Sequence, residues 1–163
     1  YYTPKFKGWI NSIVPNKFEN VGKDEPRLVI PLLDEKRKIF GVSARGFDPK
    51  GIRYITIMFD DRPKIFGLDT VDFNRQYYIV EGAIDSMFLS NAVSMNGAEG
   101  NATSLKCTQN AVFVFDNEPR NKEIHKRMEK VIDKGYKICI WPAGLPGKDI
   151  NEMVCNDYKD IQS

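Results

Sequence analysis

The chain has 163 residues, 42% of them hydrophobic and 12% aromatic, with a formal net charge of +2. That is enough apolar material for one packed domain, or for a domain with a smaller subdomain, and it excludes a globally disordered chain. No apolar run is long enough to span a bilayer, no signal peptide is evident, and so small a net charge does not by itself point to a nucleic-acid partner.

Residues 1–70 contain three short apolar runs, at 28–33, 39–42 and 54–59, separated by the turn-rich segments DEKRK and RGFDPKGIR. Short strands joined by tight turns predict a small antiparallel sheet. A boundary is expected near residues 68–72, dividing the chain into 1–70 and 71–163. The first part carries 13 Lys and Arg against 9 Asp and Glu, whereas residues 71–115 carry 2 against 4. A basic flank beside an acidic centre suits a polyanion held over divalent metal ions; scattered solvated charge accounts for the same counts equally well.

Beyond residue 70 the pattern alternates. Residues 77–80 (YYIV) read as a buried strand, and residues 83–92 as a helix with Ile84, Met87 and Phe88 on one side. A weak strand is expected at 92–95, a loop at 96–101 (NGAEGN) and a helical turn at 103–107. Residues 112–115 (VFVF) form a continuous apolar run, as in a parallel strand covered on both faces. A helix is predicted from Pro119 to a Gly135 cap, with Ile124, Met128, Val131 and Ile132 as its apolar stripe. A buried strand at 137–141, the loop PAGLPGKD and a helix at 150–158 complete the series. Strands alternating with helices give an α/β class: a parallel sheet flanked by helices with right-handed crossovers, preceded by the small antiparallel subdomain.

Acids follow three of these strands. Glu81 follows the first, with Gly82 permitting close approach and Asp85 in the helix behind; Asp116 and Glu118 follow the second; Asp149 precedes the last helix. In an open parallel sheet, ligands collect at the carboxyl ends of the strands. Taken singly, Asp85 reads as a helix-dipole partner and Asp116 as the N-cap of the helix at Pro119. Taken together, acids after three strands of one sheet repel one another unless a cation offsets them, which points to a divalent metal site. Arg120 and Lys122 lie close enough in sequence to the Asp116-Asn117-Glu118 turn to reach a phosphate; Lys126, Arg127, Lys130 and His125 read as solvated helix surface. Cys107, Cys139 and Cys155 contain no CxxC pair, so no zinc site is expected, and Cys139 reads as a buried thiol.

VEGAIDS, VFVFDNE and GKDINEM, in this order, resemble the TOPRIM pattern of DnaG-type primases, topoisomerases and some nucleases. The chain departs from the usual DxD by having Glu118 in the third place, and carries Asn151 and Glu152 where primases often have further acids. Upstream, EPRLVIPLLDEKRKIFGVSARGFDP, RYITI and PKIFGLD resemble the amino-terminal subdomain of the primase core, which topoisomerases and those nucleases lack. Over nearly its whole length the chain is similar to the primases of T-even-type tailed bacteriophages. It opens on Tyr1 rather than Met, and a fragment lacking the family's zinc-binding module is expected.

The resemblance implies a primase catalytic core that makes short RNA primers on single-stranded DNA by metal-dependent nucleotidyl transfer from NTPs. It implies two Mg²⁺ or Mn²⁺ ions and no zinc, a replicative helicase as partner, no membrane, and the host cytoplasm as location. Glu81 would handle the proton of the primer 3′-hydroxyl with Asp85 in support, and Asp116, Glu118 and Asp149 would hold the metals. Arg45 and Arg53, with Lys64 as a looser match, would face template or nucleotide; their alternative is ordinary solvated surface. Tyr54, Phe59 and Phe66 are candidates to stack bases or to fill the core. Two other readings compete: a nuclease using the same acids, and a non-catalytic adaptor that grips single-stranded nucleic acid or docks on a helicase.

Overall fold

In the computed structural model, residues 1–95, 105 and 108–162 are described, with side chains as far as residue 157. The chain divides into two units, Tyr1–Lys64 and Ile65–Ser163. Ile65 is buried in the core of the second unit, and Phe66 pairs with Ser94 there through backbone bonds of 2.9 and 3.0 Å. The segment just after Lys64 therefore goes with the second unit.

The first unit is an antiparallel sheet of β1 (Tyr2–Thr3), β2 (Arg27–Leu33), β3 (Ile39–Gly46) and β4 (Tyr54–Met58) in that spatial order, with α1 (Phe6–Ile13) packed on it. The three strands expected from the sequence are present, and β3 runs on to Gly46. Phe6 and Ile10 of α1 meet Val29, Val42, Ala44 and Ile57 from alternate strand positions, which is the period-2 burial of a one-sided sheet. β1 pairs only with residues 27 and 28, so Pro31 lies on an open edge where its missing N–H breaks no ladder bond. Arg27 is buried, its guanidinium donating to the carbonyls of Ile52 (2.9 Å) and Ala44 (3.4 Å).

The second unit contains β5 (Tyr77–Val80), α2 (Ala83–Ser86), β6 (Ala92–Ser94), β7 (Ala111–Phe113), α3 (Lys122–Asp133), β8 (Lys137–Ile138) and α4 (Ile150–Gln162). Its strands run parallel, as the alternating pattern predicts, and lie in the order β6-β5-β7-β8. Tyr77, Ile79, Val93, Phe113 and Phe115 fill the core with Ile124 of α3, while Met128 and Val131 pack beside it.

Four local expectations are corrected. The helix predicted over 83–92 ends at Ser86, leaving Met87 and Phe88 exposed. The Ser86 hydroxyl bonds the Ala83 carbonyl, and the Asn91 amide clamps the carbonyls of Asp72 and Gln76, so the chain turns early into β6. The helix predicted from Pro119 begins at Lys122, because Asn121 accepts the Glu123 N–H at 3.0 Å and supplies the cap. Ile132, placed on its apolar stripe, is exposed, although Gly135 does take the left-handed conformation after the helix (φ 80°). The buried strand predicted at 137–141 is a two-residue edge strand; Ile140 is exposed and Cys139 half-buried, because only β7 covers it. The loop expected at 96–101 and most of the turn at 103–107 lie outside the described residues.

Candidate functional site

β5 delivers Glu81 directly after its last residue, and β7 continues as extended chain to Asp116, the Val114 N–H donating to the Ile79 carbonyl at 2.9 Å. Parallel pairing of these two strands brings their carboxyl ends side by side. The Asp116 N–H points at Oε1 of Glu81 (3.5 Å), while Oε2 of Glu81 accepts from Arg127 of α3 at 3.1 Å. Arg127 reads as solvated surface in the sequence, yet its side chain is only 19% exposed and its guanidinium lies over the Phe115 ring. The signal was present: residue 127 lies three after buried Ile124 and four before Val131, on the helix face that meets the core.

Asp116 and Glu118 meet a second cation that sequence reasoning also missed. Lys148 places its Nζ 3.4 Å from Oδ2 of Asp116 and 3.0 Å from Oε1 of Glu118. Its backbone is held on both sides: its N–H donates to Oε2 of Glu152 (2.8 Å), and its carbonyl accepts from Asn117 N–H (2.6 Å). The Asn117 amide adds bonds to the carbonyls of Leu145 and Gly147, tying the loop to the acidic turn. Only adjacency to Asp149 marks Lys148 in the sequence.

The two carboxyls joined by Lys148 behave differently. Glu118 is held below the ordinary range, first by the Asn121 amide at 2.5 Å and then by Lys148. Asp116 is pushed up to about 6, first by burial and then by the charge of Glu81, with Asp149 adding to the push; Lys148 opposes this without cancelling it. Burial and the neighbouring Glu81 charge thus outweigh the pull of Lys148 on Asp116.

Asp149 caps α4, its Oδ1 accepting the Glu152 N–H at 2.8 Å. Asp85 also serves α4: its Oδ1 accepts the Asn151 N–H at 2.9 Å, so it is a dipole partner, but of a different helix from its own. Gly82 makes this possible, since a Cβ there would collide with the Asp85 carboxylate. Asp116 caps no helix, that role belonging to Asn121. Arg120, Lys122 and His125 are exposed. Among the described residues, no three His, Cys, Asp or Glu side chains gather in a way that would hold a metal ion. The structure brings Glu81 and Asp116 together, links Glu118 to Asp116 through Lys148, sets Asp149 within electrostatic reach of Asp116, and gives Asp85 to α4.

In the first unit, Arg45 and Arg53 both lie over the Tyr54 ring, at 5.6 and 5.8 Å, and Arg45 donates to the Tyr54 hydroxyl. Lys64 is exposed. Phe59 packs against the core of that unit, and Phe66 belongs to the second.

No family model matches the chain. In sequence it is 31% identical over 157 residues, 94% of its length, to the DNA primase of Enterobacteria phage T4, and it spans just under half (45%) of that relative. In fold it is similar to the Aquifex aeolicus primase, solved with zinc-binding and RNA polymerase domains (TM-score 0.64, 22% identity, 99% of this chain and 48% of that one). It is likewise similar to the primase fragment of the bacteriophage T7 primase-helicase protein (TM-score 0.60, 17% identity, 83% of this chain and 60% of that one).

Proposed function

From a chain that is related to phage DNA primases and has the fold of DnaG-type primase catalytic cores, we propose the catalytic core of an enzyme that makes RNA primers on single-stranded DNA during replication. The observation that carries this reading is the meeting of Glu81 with the Asp116–Glu118 turn at the carboxyl ends of two adjacent parallel strands. In the reaction the primer 3′-oxygen attacks the α-phosphate of an incoming NTP, a phosphodiester bond forms, and pyrophosphate leaves.

The donor chemistry suits a hard divalent cation: carboxylate oxygens, one of them on an aspartate that burial and the charge of Glu81 push up despite Lys148. Asp116, Glu118 and Asp149 would hold Mg²⁺ or Mn²⁺, which when bound lowers the pKa of the attacking hydroxyl and takes up charge on the leaving pyrophosphate. Glu81, held by Arg127, would receive the hydroxyl proton. Asp85 acts at one remove, fixing α4 and with it Asp149. In the first unit, Arg45 and Arg53 around Tyr54 offer charge and a ring to the template strand, and such binding weakens steeply with salt. A replicative helicase as partner and the host cytoplasm as location belong to the same reading.

The test is ribonucleotide incorporation on single-stranded DNA with Mg²⁺. Glu81→Gln and Asp116→Asn are each expected to reduce product by about two to three orders of magnitude while leaving folding intact. Normal yield from Glu81→Gln contradicts the assignment. Nicking of duplex DNA without primer formation would favour a nuclease.

A further inference from the structure

We propose that Lys148 is a resident counter-cation of the Asp116–Glu118 pair, one that a divalent ion has to displace in order to bind. This rests on the metal-dependent reading above. The ammonium lies 3.0 and 3.4 Å from one oxygen of each carboxylate, the place a shared metal ion would take. An ammonium and a divalent ion cannot both occupy it, because like charges a few ångströms apart repel strongly in a partly buried site.

The surroundings are built for exchange. The Lys148 backbone is pinned by Glu152 on one side and Asn117 on the other, yet its side chain is 48% exposed. The ammonium can therefore swing into solvent without the loop unfolding. A lysine suits this role where an arginine does not: its point charge has no planar fork to lock the carboxylates. The arrangement also accounts for the absence of a ready three-acid cluster among the described residues. With Lys148 between them, one oxygen of each of Asp116 and Glu118 is taken up by the ammonium.

The experiment counts Mn²⁺ bound to the nucleotide-free protein, from the electron spin resonance of the free ion, with thermal unfolding as a second readout. Lys148→Met is expected to bind Mn²⁺ about fivefold more tightly than the wild type, and to gain more in Tm at saturating ion. Lys148→Arg, which keeps the charge and grips the acids bidentately, is expected to bind more weakly. If Mn²⁺ binds to wild type and Lys148→Met equally, or more weakly to Lys148→Met, Lys148 is a structural tether and the proposal is overturned while the metal reading stands. Should Lys148→Met lose its cooperative melt, Lys148→Arg decides alone, and unchanged or tighter binding overturns the proposal. If neither wild type nor Lys148→Met binds, or if Asp116→Asn binds as tightly as wild type, the metal reading falls and takes this one with it.

Discussion

Each unit of the molecule sets one cation between two carboxylates. In the first, Arg62 reaches Asp34 (2.9 Å) and Asp60 (2.7 Å) while its guanidinium covers the Phe40 ring. In the second, Lys148 reaches Asp116 and Glu118. The geometry is alike and the electrostatics are opposite. Asp34 and Asp60 are both held below the ordinary carboxylate range, Asp34 first by the Lys38 backbone N–H and Asp60 first by Arg62. The group serves as an exposed clip on the 34–38 turn. Asp116, despite Lys148, is pushed up to about 6, because it is more buried and faces Glu81. Two acids around a cation therefore do not mark a functional site. A half-buried carboxylate pushed up beside a second acid where two parallel strands end is the stronger candidate.

The sharpest way to break this contrast is Asp116→Asn. A carboxyl whose folded pKa lies above its ordinary value leaves the native state holding the extra proton, so it contributes stability that is present below about pH 4 and is lost as pH rises through about 6. Above pH 7 the asparagine variant is expected to be more stable than the wild type by on the order of 2–3 kcal/mol, a gain that vanishes near pH 4. Denaturant melts at the two pH values check this. A variant no more stable at neutral pH would erase the distinction between the two triads.

Next in size is Arg127→Met, which frees Glu81 from its anchor. Primer synthesis is expected to fall about 10- to 100-fold, as when an outer partner of a reactive carboxylate is removed, whereas Arg62→Met should leave it unchanged. Equal losses from both would mean that neither arginine acts through the site. Gly82→Ala follows: the added methyl displaces Asp85 from the Asn151 N–H, lowering stability by about 1 kcal/mol and speeding amide exchange at the start of α4. Fast exchange at Asn151 already in the wild type would show that Asp85 holds nothing there. The smallest effect is expected from Arg62→Ala, a slight fall in Tm that high salt removes. A large, salt-independent fall would show that the first clip is more than surface electrostatics.

The second unit's succession of parallel strands and the acids after them were legible because both depend on neighbours in sequence. An apolar run such as VFVF must be covered on both faces, and an acid directly after it must stand at the strand's end. The cations were not legible, because their partners lie far along the chain: Arg127 is 46 residues from Glu81, and Lys148 sits in a loop whose course is set by Asn117. Asp85 shows the same limit. Its acidic, helix-start character was plain, but the helix it serves begins 65 residues later.

By its sequence alone the chain determined its class, an antiparallel unit ahead of a parallel one, since alternation with a period of two and apolar runs between helices are local patterns that few folds satisfy. Tertiary structure decided which charges neutralise which. Coulomb energy depends on distance and burial, and neither can be counted along a sequence. Two chains with the same acids at the same positions would differ in chemistry according to where Arg127 and Lys148 come to rest.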